Sequence, residues 1–153
     1  MSLAPFLAAL MLAIAISDWR CYRVPDALTL AALALRGLAL LASHSPQPEL
    51  CAAAARAAVM ATLFYGFRAA YRRWRGRDGL GLGDVKLAAV AGAWVDWRLL
   101  PFVVEFAALS GLAVALLRAV GSGASLHAET KLPFAVGFAP AIFVGWQLQS
   151  LGF

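Results

Sequence analysis

The sequence predicts an all-α, polytopic membrane protein with six transmembrane helices and with both termini on the non-cytoplasmic side. The first observation is the apolar content: 63% of the 153 residues are hydrophobic and only 14% are charged, against about 45–50% and about 25% in a soluble domain. With a mean hydropathy of +0.78, one core of this size cannot bury the excess. The second is the net charge of +5, which lies in short basic clusters between apolar runs. That pattern is typical of multi-pass membrane proteins, and it argues against a disordered chain, a nucleic-acid-binding domain and a disulfide-stapled secreted fold.

Six apolar stretches form the predicted segments of a single integral-membrane domain over residues 1–153. They cover residues 2–17, 27–43, 50–70, 80–95, 100–120 and 133–153. A bilayer core takes about 20 helical residues, so the first and fourth segments are short. Each is expected to be helical, because lipid offers no partner for an exposed backbone amide. A cleavable signal peptide is not expected, because the first segment lacks a basic start.

The distribution of Lys and Arg predicts the orientation, with the loops numbered from the one after the first segment. Of 13 basic residues, the odd loops and adjoining helix ends hold 10, the even loops hold 1 and segment interiors hold 2. The positive-inside rule therefore places the odd loops in the cytoplasm. Cys21 and Cys51 then lie at opposite faces, too far apart for a disulfide, which needs Cα atoms within about 7 Å.

Two acids at membrane depth are the candidate catalytic residues. Asp18 closes the first segment, and Asp84 opens the fourth within the run Gly81-Leu82-Gly83-Asp84-Val85-Lys86. Acids at this depth are costly and are functional candidates by default. Both are expected at the cytoplasmic ends of their helices, so they share one depth although 66 positions separate them in the sequence. Folding could therefore bring them together.

Two facing carboxylates predict acid–base chemistry on a carbonyl group. Such a pair titrates as a unit and shares a proton. The ionised member takes a proton from an attacking water, and the protonated member donates to the carbonyl oxygen. Gly81 and Gly83 lack Cβ atoms and would let a substrate backbone approach the helix start. No metal or other cofactor is needed for this chemistry.

The motifs around both acids resemble a known family. The run from Asp18 to Val24-Pro25-Asp26 and the Gly81–Lys86 run look like the two signatures of the type IV prepilin peptidases, which are intramembrane aspartic proteases with a Gly-x-Gly-Asp motif. The stretch Lys131-Leu132-Pro133-Phe134 is similar to a Pro-containing stretch near their C-terminus. The match is closest to the short forms associated with tight-adherence (Flp-type) pili.

The resemblance implies a function and a location. Asp18 and Asp84 would form the catalytic dyad of an aspartic endopeptidase in the bacterial inner (cytoplasmic) membrane. The implied substrate is a prepilin or pseudopilin, cleaved at the cytoplasmic face after its short basic leader. Long members carry an N-terminal region with paired cysteines that is linked to N-methylation. The first loop here has no Cys-x-x-Cys, so methyltransferase activity is not expected.

The remaining polar residues fit structural roles. Asp26 after Pro25 predicts an N-cap of the second helix. Lys86 is expected to reach lipid phosphates in preference to a catalytic role. Arg36, Arg56 and Glu105 are expected to face the bundle interior, with Glu105 paired to one arginine or, alternatively, lining a substrate groove. The basic loop from Arg68 to Arg77 is expected to rest on anionic lipid headgroups.

Three other functions compete with the peptidase. A small ion- or proton-coupled transporter subunit would use buried acids and arginines as a relay, but both motif acids lie at one face. A non-catalytic subunit of a pilus or secretion assembly is the second alternative. A serine intramembrane protease is disfavoured, because Ser110 and Ser122 lack a Gly-x-Ser-Gly context.

His44 and His127 are expected on opposite faces and cannot share a metal. The oligomeric state is not predicted.

Overall fold

The computed structural model describes residues 3–43, 46–76, 79–122 and 134–152. These ranges hold six α-helices, in agreement with the predicted all-α class. The helices are α1 (Ala4–Cys21), α2 (Asp26–Leu41), α3 (Pro46–Arg75), α4 (Leu82–Trp94), α5 (Leu100–Ser122) and α6 (Ala135–Ser150). By length and composition, α1 and α3 are apolar and long enough to cross a membrane.

The centre of the bundle is α4, which is apolar on almost every side. Its 13 residues span about 20 Å, less than the roughly 30 Å core of a bilayer. A helix that is hydrophobic all round is a buried helix, and the second half of α4, from Leu87 to Trp94, is buried apart from Ala89. α2, α3 and α6 pack around it, whereas α1 packs mainly on α6 and α5 lies outside α6.

Close backbone contact joins α3 to α4. A Cβ atom added at Gly92 would lie 2.5 Å from the Arg56 carbonyl oxygen and 2.8 Å from the Ala57 Cα atom. Only glycine permits this approach, and small residues at such crossings are common in membrane bundles. The contact fixes α4 against the long helix that runs beside it.

Two arginines complete the C-terminal end of α4. Arg36 Nε donates to the Ala93 carbonyl oxygen and Arg56 Nε to that of Gly92, both at 3.1 Å. Cations near the last carbonyls of a helix interact favourably with its dipole. Arg56 is 7% exposed, and its Nη1 lies 3.1 Å from Asp96 Oδ1. The predicted interior position of Arg56 is therefore confirmed.

Three sequence-based expectations about charged residues are wrong. Glu105 lies on an exposed face of α5, because α5 packs on α6 along its other side, and the acid that pairs with Arg56 is Asp96. The predicted basic loop is mostly helix, since α3 continues to Arg75. Asp26 is not an N-cap: α2 begins at Asp26 itself, Pro25 occupies the cap position and no side chain caps the helix.

Candidate active site

Asp18 joins the end of α1 to the beginning of α6. The residue is 6% exposed, and its Oδ2 accepts a hydrogen bond of 2.8 Å from the backbone N–H of Ala135. The N–H of Val136 is a second backbone donor to the same carboxylate. Ala135 and Val136 are the first residues of α6, and the backbone N–H groups in the first turn of a helix have no partner within that helix. The acid therefore caps a helix distant in sequence.

Asp84 lies in the first turn of α4 and is held by its own helix start. Its Oδ2 accepts a hydrogen bond of 3.1 Å from the Gly81 N–H, and its own N–H donates to the Gly81 carbonyl oxygen at 3.2 Å. Gly81 precedes the helix with φ −70° and ψ 149°, so the chain turns sharply into α4. The carboxylate is half-buried at the positive end of the helix dipole.

The two acids are brought to the same end of the bundle. Asp84 lies within electrostatic reach of the Asp18 carboxylate and also of the Arg68 guanidinium. Each acid accepts backbone N–H groups at the start of a different helix, α6 for Asp18 and α4 for Asp84. Such donors orient a carboxylate without neutralising it through a side-chain ion pair. The arrangement suits a pair of carboxyl groups that divide one proton between them.

The glycines of the motif have close contacts within the chain itself. A Cβ atom at Gly83 would lie 2.9 Å from Val24 Cβ, and one at Gly81 would lie 3.2 Å from Asp84 Oδ2. Gly83 thus lets the start of α4 pack against the turn between α1 and α2, directly before Pro25. In that turn, Tyr22 adopts the left-handed conformation with φ 51°. Approach of a substrate backbone to these glycines stays a prediction.

Lys86 contacts the second helix. Its Nζ lies 2.5 Å from Asp26 Oδ1, and both side chains are partly exposed. Lys86 thus has a protein partner in addition to any lipid phosphate it reaches. Together with the contact of Gly83 on Val24, this ion pair ties the start of α4 to the start of α2.

Two groups at this end were missed by sequence reasoning. The Ala135 N–H is a backbone donor and has no residue-type signature. Arg68, assigned from the sequence to a lipid-facing loop, donates from Nη1 to the Leu80 carbonyl oxygen. A partial indication of its helical position was present in the sequence. Arg68 lies one helical turn before the run Arg72-Arg73-Trp74-Arg75. Arg77, His44, His127 and the stretch 131–133 lie outside the described residues.

Ser110 is not part of this site. It lies on α5, donates to the Ala107 carbonyl oxygen at 2.9 Å and packs against Gly137 of α6. Its role is close packing between two helices. The side chain of Ser122 lies outside the part of the chain that the structure describes.

Comparisons with known proteins agree with the motif resemblance. The model of the type IV leader peptidase family matches residues 5–116. A prepilin leader peptidase/N-methyltransferase of Pectobacterium carotovorum is 34% identical over 116 residues, 74% of this chain and 40% of that protein. The corresponding protein of Escherichia coli K12 is 33% identical over 110 residues, 70% of this chain and 47% of that protein.

A shorter relative gives a similar match. The leader peptidase HopD of Salmonella typhimurium is 39% identical over 92 residues, which is 58% of this chain and 54% of that protein. The chain thus spans about half or less of the length of these curated relatives. No solved structure gives a significant match.

Proposed function

The chain belongs to the type IV leader peptidase family, and from this premise we propose that it is an intramembrane aspartic endopeptidase that removes the short basic leader of prepilin-like substrates. The proposed dyad is Asp18 and Asp84. The observation that carries the proposal is that both acids lie at one end of the bundle: Gly83, next to Asp84, packs on Val24 in the turn that follows Asp18, and the two acids lie within electrostatic reach. Both are held by helix N-termini. The short, tight-adherence kind of peptidase is part of the same proposal.

The proposed mechanism uses one ionised and one protonated carboxyl group. The ionised member takes a proton from a water molecule as the water oxygen attacks the peptide carbonyl carbon. The protonated member donates to the carbonyl oxygen, which gives a tetrahedral intermediate. Collapse of the intermediate breaks the C–N bond, and a carboxyl group returns a proton to the leaving amine. The backbone donors from Ala135 and Gly81 keep the two carboxyl groups oriented during these steps.

The proposed location is the bacterial inner membrane, with the site at its cytoplasmic face. The excess of basic residues near this end of the bundle supports that orientation. α3 has 30 residues, about 45 Å, and is longer than a bilayer core of roughly 30 Å. Its basic end can therefore extend to anionic lipid headgroups. Trp74 there is 84% exposed, as suits an interfacial residue.

A proton or ion relay is less well supported by the described residues. A relay through the centre would need polar groups along α4, but Leu87, Val90 and Ala91 of that helix are fully buried and apolar. The acids lie at one end of the helix, and the Arg56–Asp96 pair lies near the other. A site at one face agrees better with cleavage of a peptide that enters from that face.

Single asparagine substitutions test the dyad. The full chain is expressed with a candidate prepilin from the same organism, and the substrate's size is followed on a gel. Asp18→Asn and Asp84→Asn should each abolish processing while the protein still accumulates in the membrane, because asparagine keeps the size and a hydrogen-bond acceptor but carries no titrating group.

The matched control is Glu49→Gln. Glu49 is exposed in the first turn of α3, far along that helix from Arg68, so processing should continue. Cleavage at a near wild-type rate by either aspartate variant would show that the dyad is assigned wrongly. Cleavage of no candidate prepilin by the wild-type chain would contradict the proposed substrate class.

A further inference from the structure

Arg68 reaches the candidate site from a helix that carries neither aspartate. It lies on α3, and its Nη1 donates to the carbonyl oxygen of Leu80, in the segment that leads into α4. Its guanidinium also lies within electrostatic reach of Asp84. Neither the proposed acid–base steps nor lipid binding requires a contact with Leu80. This contact therefore has a role of its own.

The atoms at the two ends of this contact belong to one peptide group. The Leu80 carbonyl accepts from Arg68, and the Gly81 N–H of the same peptide donates to Asp84 Oδ2 at 3.1 Å. A trans peptide is planar, and its C=O and N–H point in opposite directions. A cation therefore lies at the negative end of the peptide dipole and a carboxylate at its positive end. Each interaction strengthens the other, as in other chains of hydrogen bonds.

A second contact from α3 holds the same segment. The Tyr71 ring lies against Gly79, where a Cβ atom would clash with the ring. Residues 68 and 71 are three positions apart and lie on one face of the helix. α3 therefore holds residues 79 and 80 at neighbouring points, directly before the Gly81 N–H that binds the acid. The position of the Asp84 carboxylate depends on this segment.

We propose that Arg68 is a positioning residue, which orients the Asp84 carboxylate towards Asp18 through the Leu80–Gly81 peptide. The expected effect on cleavage rests on the proposed function, whereas the contact between Arg68 and Leu80 does not. In this role Arg68 takes no part in the proton transfers. Without it, the peptide can rotate and the acid loses its fixed direction.

Steady-state cleavage by the purified full chain in a detergent with neutral headgroups tests the effect on turnover. Arg68→Gln should lower kcat by about 10- to 100-fold, because small misplacements of a reacting group cost this much, and should leave KM within about twofold. Arg68→Lys keeps a charge and an N–H donor and should restore most of kcat. Arg72→Gln makes the same change one turn further along α3, and its effect should be much smaller.

Hydrogen exchange separates this inference from the proposed function. In Arg68→Gln, amide exchange over residues 79–84 should be faster than in the wild type and in Arg72→Gln. If the wild-type chain cleaves no prepilin, the proposed function fails, while faster exchange still supports the hold of Arg68 on this peptide. Unchanged exchange overturns the inference. So do equal losses of kcat in both glutamine variants, or a change confined to KM.

Discussion

The two ends of α4 carry opposite charges and stabilise them differently. At the C-terminal end, Arg56 donates to the Gly92 carbonyl oxygen and also pairs with Asp96, so a buried cation has both a backbone and a side-chain partner. At the N-terminal end, Asp84 accepts from the Gly81 N–H, and a second acid, Asp18, lies within electrostatic reach.

On the proposed function, charges at one end of α4 hold the fold and charges at the other end take part in catalysis. The arginine end also brings two like charges together, Arg36 and Arg56, but both donate to carbonyl oxygens at the end of α4 and Arg56 pairs with Asp96. The acid end brings like charges together, which costs free energy unless they share a proton. Backbone donors and Arg68 reduce this cost without removing the like-charged pair. What sets the acid end apart is the kind of group it concentrates, because two carboxyl groups can share a proton whereas two guanidinium groups keep theirs.

The largest expected effect compares one acid from each end. Asp84→Asn should lower cleavage by at least about 10³-fold without loss of stability. Asp96→Asn should leave turnover per folded molecule unchanged but destabilise the protein by about 1–2 kcal/mol, because it leaves Arg56 without its ionic partner. The estimate is modest because the Asp96 side chain is 47% exposed and solvent screens the pair.

Cleavage rates and thermal unfolding in detergent measure both effects. A loss of turnover in Asp96→Asn equal to that in Asp84→Asn would remove the distinction between the two ends.

The next effect concerns the packing of α4 along its length. Gly92→Ala should destabilise the protein by about 2–3 kcal/mol, because the new methyl group meets the α3 backbone and the helices must separate. Gly66→Ala on α3 is the control, since nothing lies within 4 Å of its added Cβ atom. Thermal unfolding should show a lower midpoint only for the first variant. Equal midpoints would show that α3 and α4 can separate at little cost.

The smallest expected effect is at the acid end. Gly83→Ala meets the Val24 side chain, which can shift, so the cost should be about 1–2 kcal/mol. Since the start of α4 carries Asp84, cleavage should also fall by about tenfold. Gly37→Ala on α2, with open space around it, should lower neither quantity, because alanine is the better helix former. Loss of stability with unchanged kcat would mean that Val24 supports the fold and not the site.

The helices and the two acids could be predicted because their signals are local. Apolar runs define the segments, and the depth of Asp18 and Asp84 follows from where those runs end. The shared depth predicted that the two acids could meet, and the family resemblance then implied that they form a catalytic dyad. The structure agrees with six helices in the described ranges, and both acids lie at one end of the bundle.

The partners of these residues could not be predicted, because they depend on which helix faces meet. The donor to Asp18 is a backbone N–H, and any residue except proline could supply it. Arg68 contacts Leu80 only because α3 continues as a helix past residue 68. Glu105 was expected inside on grounds of polarity alone, yet α5 turns that face outward. Local patterns define the elements, and packing selects the contacts.

The hydrogen bond between Asp18 and Ala135 spans 117 positions, and this separation has a consequence for biosynthesis. Asp18 leaves the ribosome long before its capping partner has been made. Until α6 has entered the bundle, this carboxylate lacks the two amides that orient it. On the proposed function, a nascent chain that already carries both acids is therefore expected to stay inactive until the sixth helix docks.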